Sequence, residues 1–178
     1  PYDVKHYARD VKTNLAPPEL LAIHPLGKSP MVEMEGRLIT ESAAIVELIC
    51  AKHAPQMIPK IGTDAHIQHL ELMHFAEGSA MTPILLNLYV DRLGDAGAPL
   101  HPRIQQQLES HYGYMNDIIG THGHYVLNEL SAVDIMLSFP AEIAMMQSRA
   151  KDFPRLAEFV NRIHARPAYN RATERGAI

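Results

Sequence analysis

One short segment, residues 27–45, constrains the fold of this chain more than any other part of it. It reads GKSPMVEMEGRLITESAAI. Two β-compatible runs, 31–34 and 37–40, flank the dipeptide Glu35-Gly36, in which glycine supplies the positive φ of a tight hairpin turn. From Ser42 onward apolar residues recur at helical spacing. The segment therefore predicts an antiparallel hairpin that is followed at once by a helix.

The start of that helix is suited to an anion. The first backbone N–H groups of a helix have no partner within it, and the helix dipole places partial positive charge at the same point. The hydroxyl of Ser42 would face this point as well. An alternative interpretation of the same residues is that Ser42 only caps a core helix and that Pro30 only begins a strand.

In its order of elements the segment resembles the glutathione site of the soluble glutathione S-transferases. In that family a cis-proline precedes the third strand, and the residue before it pairs through its backbone with the cysteinyl unit of glutathione. The resemblance places these roles at Pro30 and Ser29. It implies that Glu41 and Ser42 hold the γ-glutamyl amine and carboxylate, which suits an anion and a hydroxyl at a positive helix end. It also implies that Lys28 reaches the glycine carboxylate.

Composition and charge exclude several other classes of protein. The chain has 178 residues, 47% of them hydrophobic and 20% charged, which is ordinary for a soluble globular protein. No run approaches the length of about 20 apolar residues that crosses a bilayer, and no leader is visible, so we expect a cytoplasmic protein without a membrane partner. A net charge of −4 with scattered Lys and Arg predicts no nucleic-acid partner. The single cysteine, Cys50, suits a reducing compartment and a buried position.

The pattern divides the chain into an α/β part and an all-α part. Alternation over Pro1–Tyr7 predicts a strand, and a short helix from Pro18 should end at His24-Pro25 because the residue before proline avoids the helical region. Prolines and a glycine between residues 54 and 63 break any regular period and predict a linker. With the resemblance, we expect a thioredoxin-like domain over 1–53, incomplete at its start, and an all-helical domain over 64–178.

Helical periodicity runs through the second part. The expected apolar faces comprise three sets: Ile67, Leu70, His74, Met81, Leu85 and Leu88, with a bend at Pro83; Ile104, Leu108, Tyr112, Met115 and Ile119; and Leu156, Phe159, Val160 and Ile163. Ser131 and Asp134 predict a capping-box start for another helix. A capping element at this place also occurs in the glutathione S-transferases, so it extends the resemblance, as does Arg166-Pro167-Ala168-Tyr169, which is similar to bacterial members.

The resemblance implies an enzyme of detoxification that conjugates glutathione, as co-substrate, to a small apolar electrophile. Related thiol peroxidase or isomerase activity fits the same site. Family members begin with a strand and a helix that carry the thiol-activating residue, so we expect that residue before Pro1. The alternative is a non-catalytic glutathione-transferase-like module that binds ligands or proteins. Glu41 and Ser42 favour the enzyme, whereas an unassigned activating residue favours the module.

Two further expectations concern surfaces. The second substrate should lie between the domains, with His74, Met81 and Tyr89 as candidates for its wall; each is otherwise ordinary core or surface. The family implies a homodimer, whose contact surfaces would be the exposed faces of the helix from His66 and of the helix beginning at Glu41.

Eleven histidines raise the question of a metal site. His66 and His69 are one helical turn apart, and His122 and His124 flank a glycine. Neither pair has nearby cysteines or a third ligand at a recognised spacing, so we expect no metal. The sequence also lacks the G-x-S-x-G motif of many hydrolases and a glycine-rich phosphate loop. The identity of the electrophile cannot be deduced from these residues.

Overall fold

A computed structural model of the chain describes residues 2–13 and 15–176. The first part contains helix α1, the strands β1 and β2 and helix α2, and the second part contains helices α3 to α8. In chain order they are α1 (Glu19–Ile23), β1 (Met31–Met34), β2 (Arg37–Thr40), α2 (Ser42–His53), α3 (Asp64–Phe75), α4 (Met81–Asp91), α5 (His101–Asp117), α6 (Ala132–Met146), α7 (Pro154–His164) and α8 (Pro167–Glu174). Short 3-10 turns cover Pro55–Met57 and Gly94–Leu100.

Strands β1 and β2 form the predicted antiparallel hairpin. Met31 lies opposite Thr40 at the open end, and Met34 lies opposite Arg37 beside the turn. Glu35 and Gly36 have φ of 54° and 76°. A two-residue turn with positive φ at both positions matches the right-handed twist of its strands. The predicted hairpin is confirmed.

The predicted strand at the start of the chain is wrong for the residues that can be assessed. Residues 2–9 adopt no regular structure, and Pro1 lies outside the described residues. A strand needs a neighbour for its N–H and C=O groups. Within the described residues the sheet consists of β1 and β2 alone. The segment that carries Tyr2, Val4 and His6 therefore has no neighbouring strand with which to pair.

The short helix α1 ends where the sequence predicts. His24, which precedes Pro25, has φ of −147° and ψ of 138°, which is extended backbone. Helix α2 ends at His53, and α3 begins at Asp64 after a stretch that holds only a 3-10 turn. The division of the chain into domains at 54–63 stays a prediction.

The core of the second part lies between α5, α6 and α7. Its fully buried side chains include Tyr112 and Met115 on α5, Leu137 on α6 and Phe159 on α7. The predicted apolar faces of α5 and α7 are confirmed, since every named residue of both sets is buried. Burial raises the pKa of the Tyr112 hydroxyl to about 12.

The predicted apolar stripe of the long helix is wrong except at Met81. Ile67, Leu70, Leu85 and Leu88 are exposed, and so is His74. The buried face is instead formed by His69, Leu72, Met73, Ala76, Ala80, Met81 and Ile84. Apolar residues occupy both faces of this helix, so periodicity alone does not select the buried one.

A π-helical turn at Ala76–Ala80 also separates α3 from α4. The Met81 N–H donates to the Ala76 carbonyl, five residues back. This wider turn shifts the phase of all later residues relative to a regular α-helix. The irregularity precedes Pro83, where the sequence predicts a bend. No helix among residues 2–13 and 15–176 is long and apolar enough to span a membrane.

Candidate functional site

The hairpin register brings the predicted ligand residues together. Because Met31 lies opposite Thr40, the residue before β1 and the residue after β2 are neighbours at the open end of the hairpin. These two residues are Pro30 and Glu41. The Ser29–Pro30 peptide bond is cis, as the resemblance predicts. Lys28, Ser29 and Pro30 are exposed.

Glu41 joins β2 to α2 in an unusual backbone conformation. Its φ is 70° and its ψ is 119°. A non-glycine residue held outside the common regions costs about 1–3 kcal/mol, and such residues concentrate at functional sites. Its carbonyl accepts the first hydrogen bond of the helix, from the Ile45 N–H at 2.9 Å. Its exposed carboxylate makes no capping hydrogen bond.

Ser42 is the first residue of α2 and not its cap, so the alternative interpretation of Ser42 as a simple N-cap is wrong. Its half-buried hydroxyl has no hydrogen-bond partner in the part of the chain that the structure describes. The N–H groups that precede Ile45 have no partner within the helix either. The start of α2 therefore presents a hydroxyl, several N–H donors and one carboxylate to solvent. Such a set can hold a group that carries both an ammonium and a carboxylate.

Packing and polar contacts fix helix α2 in place. Ile45 and Cys50 are buried on its inner side, and burial raises the pKa of the Cys50 thiol. Near its C-terminus Lys52 forms an ion pair with Glu35 in the hairpin turn, and this cation lowers the pKa of the Glu35 carboxyl. The buried position predicted for Cys50 is confirmed.

A further contact of α2 has no counterpart among the predicted site residues. Glu47 Oε2 lies 2.7 Å from Nε2 of His69 on α3. In the sequence His69 stands out only as half of a metal-like pair with His66. Glu47 carries no distinguishing pattern, so no signal in the sequence could have found this contact.

The three candidates for a second-substrate wall differ in exposure. His74 is exposed on α3, and Met81 is buried in the core at the start of α4. Tyr89 is 59% exposed, with the Arg92 guanidinium 5.9 Å from its ring centre. Their role toward a substrate stays a prediction.

Two depressions in the described surface lie away from these residues. One is lined by residues of both chain ends, among them Tyr2, His6 and Arg175. The other is lined by residues 119–123 and side chains of α7, among them Arg155 and Arg162. Neither depression contains a predicted site residue. Within residues 2–13 and 15–176, no three His, Cys, Asp or Glu side chains are grouped to hold a metal ion.

Comparisons with known proteins match both parts of the chain. Residues 1–50 match the family model described as glutathione S-transferase, N-terminal domain. Residues 85–170 match the model described as glutathione S-transferase, C-terminal domain. The chain is also similar to glutathione S-transferase 1 of Saccharomyces cerevisiae, with 26% identity over 199 residues that cover 98% of this chain and 84% of the yeast protein.

Solved structures agree in fold. A glutathione S-transferase from Actinobacillus pleuropneumoniae superposes with a TM-score of 0.82 at 24% identity, over 95% of this chain and 78% of that one. A sphingomonad glutathione S-transferase complexed with glutathione gives 0.72 at 21% identity, over 89% and 78% of the two chains.

Proposed function

Because the chain belongs to the glutathione S-transferase family, we propose that it binds glutathione at the open end of the hairpin and conjugates it to a small apolar electrophile. Its fold is that of the family, a thioredoxin-like unit with a small sheet followed by a helical unit. One observation carries the proposal most: within the described residues, Glu41 and Ser42 present polar groups without hydrogen-bond partners beside Pro30.

The γ-glutamyl end of glutathione carries an ammonium and a carboxylate, which the start of α2 complements. In the proposed complex the Glu41 carboxylate accepts hydrogen bonds from the ammonium. The Ser42 hydroxyl and the free N–H groups of the first turn donate to the carboxylate, where the helix dipole also favours negative charge. The exposed backbone of Ser29 pairs with the cysteinyl unit as an added strand would. The Lys28 ammonium pairs with the glycine carboxylate.

The chemistry begins with the glutathione thiol. An ordinary thiol has a pKa of about 8.5, and only its thiolate is an effective nucleophile. The sulfur attacks an electrophilic carbon, a carbon–sulfur bond forms, and the leaving group departs with the electron pair of its bond. Lys28, Ser29, Pro30, Glu41 and Ser42 are proposed to hold and orient the tripeptide. None of these five is proposed to activate its sulfur.

The electrophile is proposed to lie between the two units, against the helix that carries His74, Met81 and Tyr89. Exposed His74 and Tyr89 are the members that a substrate can reach directly. Met81 would act from beneath that surface, since it is buried. In the cell we propose a detoxifying role in the cytoplasm, which a single cysteine suits.

Titration calorimetry tests the binding step. Glutathione should give saturable heat, whereas cysteinylglycine, which lacks the γ-glutamyl unit, should bind far more weakly because it leaves Glu41 and Ser42 without a ligand. No saturable heat with glutathione would overturn the proposal. A second assay follows thioether formation from glutathione and an aryl halide. Binding without conjugation would favour the alternative, a non-catalytic module.

A homodimer is also proposed. Exposed apolar side chains line the outer face of α3 and α4, namely Ile67, Leu70, Leu85 and Leu88, and α2 adds Leu48 and Ile49. An apolar surface of this kind is typical of protein–protein contacts. Sedimentation should show a dimer, and Leu88→Asp should shift the protein toward a monomer. A wild-type monomer at all concentrations would refute the dimer.

A further inference from the structure

A partly buried hydrogen bond joins the two units of the molecule beside the proposed site. His69 Nε2 on α3 lies 2.7 Å from Glu47 Oε2 on α2. The His69 side chain is 0% exposed and that of Glu47 is 35% exposed. Because a carboxylate only accepts hydrogen bonds, Nε2 carries the proton and donates it. The bond therefore ties α2 to α3.

The surroundings of His69 leave its ring few other positions. Its other nitrogen, Nδ1, is buried and has no partner in the part of the chain that the structure describes. The His66 ring stacks against it, with ring centres 6.0 Å apart and planes at 16°. If the imidazole turned, Nε2–H would lose its acceptor. Burying an unpaired donor costs about 1–3 kcal/mol. The donor is thus held in one direction, toward α2.

Glu47 lies five residues after Ser42 on the same helix. At about 1.5 Å per residue, the two are about 7.5 Å apart along the axis. The ion pair of Lys52 with Glu35 also holds α2, but Glu35 is mostly exposed and surface pairs contribute little. Of these two pairs, the one between Glu47 and His69 joins α2 to the helical unit, and its histidine is fully buried.

We propose that His69 is a positioning residue for glutathione: by donating to Glu47 it holds α2 against the helical unit, and so keeps Ser42 in its binding position. This inference rests on the proposed function. His69 itself does not touch the ligand and acts through helix α2.

The experiment uses variants of the full chain. His69→Leu removes the donor at similar volume, His69→Gln restores an N–H donor, and Glu47→Leu removes the acceptor at a partly exposed position. The control is His164→Leu, because His164 Nε2 lies 3.1 Å from Glu142 Oε1 and also joins two helices, α7 and α6, through a more exposed histidine. Glutathione affinity is measured by calorimetry below the unfolding transition, and exchange of the Ile45 amide hydrogen reports on the first turn of α2.

We expect His69→Leu and Glu47→Leu to raise the dissociation constant for glutathione about tenfold, His69→Gln to stay within about twofold, and His164→Leu to leave it unchanged. If His69→Leu does not fold, Glu47→Leu decides the outcome. A lower melting temperature with an unchanged dissociation constant would reduce His69 to a structural residue and overturn the inference.

If the wild-type protein does not bind glutathione, the proposed function is refuted. The positioning of α2 by His69 is then tested by hydrogen exchange of the Ile45 amide alone. In that case faster exchange of the Ile45 amide in His69→Leu than in His164→Leu would support the positioning of α2 by His69. Equal exchange in the two variants would overturn it.

Discussion

Helices α2 and α6 both begin with an acidic side chain and a serine hydroxyl, yet the two starts are built differently. At α6 the Asp134 carboxylate is fully buried and accepts from the Ser131 N–H at 2.7 Å, the Ser131 hydroxyl at 2.6 Å and the Tyr125 N–H at 3.0 Å. At α2 the Glu41 carboxylate is exposed and caps nothing. The same residue types are hydrogen-bonded by the protein at α6, whereas at α2 they have no such partners in the part of the chain that the structure describes.

The backbone conformations at the two helix starts also differ. Ser131 has φ of −119° and ψ of 169°, the extended conformation of an ordinary N-cap. Glu41 has a positive φ, which an ordinary cap does not require. Residues in strained backbone conformations cluster at binding and catalytic sites. We therefore assign folding to the start of α6 and propose binding at the start of α2.

Among substitutions at the two helix starts, Asp134→Ala should have the largest effect. It leaves three buried donors without an acceptor, so the free energy of unfolding should fall by about 4 kcal/mol. Urea unfolding followed by circular dichroism measures the change. Glutathione affinity of the folded fraction should not change, because Asp134 lies at the other helix start.

Asp152→Ala is the control for this prediction. Asp152 also accepts a hydrogen bond, from the Arg149 Nε at 2.6 Å, but it is exposed. Its removal should cost less than about 1 kcal/mol. Equal losses in the two variants would contradict a special role for the buried cap.

Substituting the two serines should have opposite effects on binding and on stability. Ser42→Ala should weaken glutathione binding by about 1–2 kcal/mol, the scale of a hydrogen bond to a charged group, and change the unfolding free energy by less than about 0.5 kcal/mol. Ser131→Ala should lower the unfolding free energy by about 2 kcal/mol and leave binding unchanged. Calorimetry and urea unfolding of both variants give the four values. An unchanged dissociation constant in Ser42→Ala would remove Ser42 from the site.

Local signals explain what could be predicted from the sequence. The hairpin depends on Glu35-Gly36, and the start of α6 depends on Ser131 and Asp134, and each signal lies within a few residues of the structure that it specifies. That Pro30 and Glu41 are neighbours follows from the hairpin register alone. These parts required no knowledge of the remaining chain.

Contacts between distant elements could not be predicted in this way. The long helix carries apolar residues on two faces, and only packing against α5 and α6 decides that Leu72 and Ile84 are buried while Leu70 and Leu85 are not. The prediction of a strand at the start of the chain is wrong for a related reason. Alternating residues form a strand only when a neighbouring strand pairs with them. The pair of Glu47 with His69 likewise depends on how two helices meet.

Glu41→Gly separates the effect of backbone strain from that of charge. Glycine adopts positive φ without a steric penalty, so the free energy of unfolding should rise by about 1 kcal/mol. Glutathione binding should weaken, since the ammonium loses its carboxylate partner. Urea unfolding and calorimetry on the same preparation measure both effects.

Glu41→Ala serves as the matched variant for this prediction. Alanine also removes the carboxylate, and so it should weaken binding as glycine does. Because alanine retains a Cβ at the same positive φ, it should not raise the unfolding free energy. A gain in stability with alanine equal to that with glycine would show that the carboxylate, and not the backbone of Glu41, destabilises the start of α2. That result would remove the conformational half of the contrast between α2 and α6 and leave only the difference in hydrogen-bond partners.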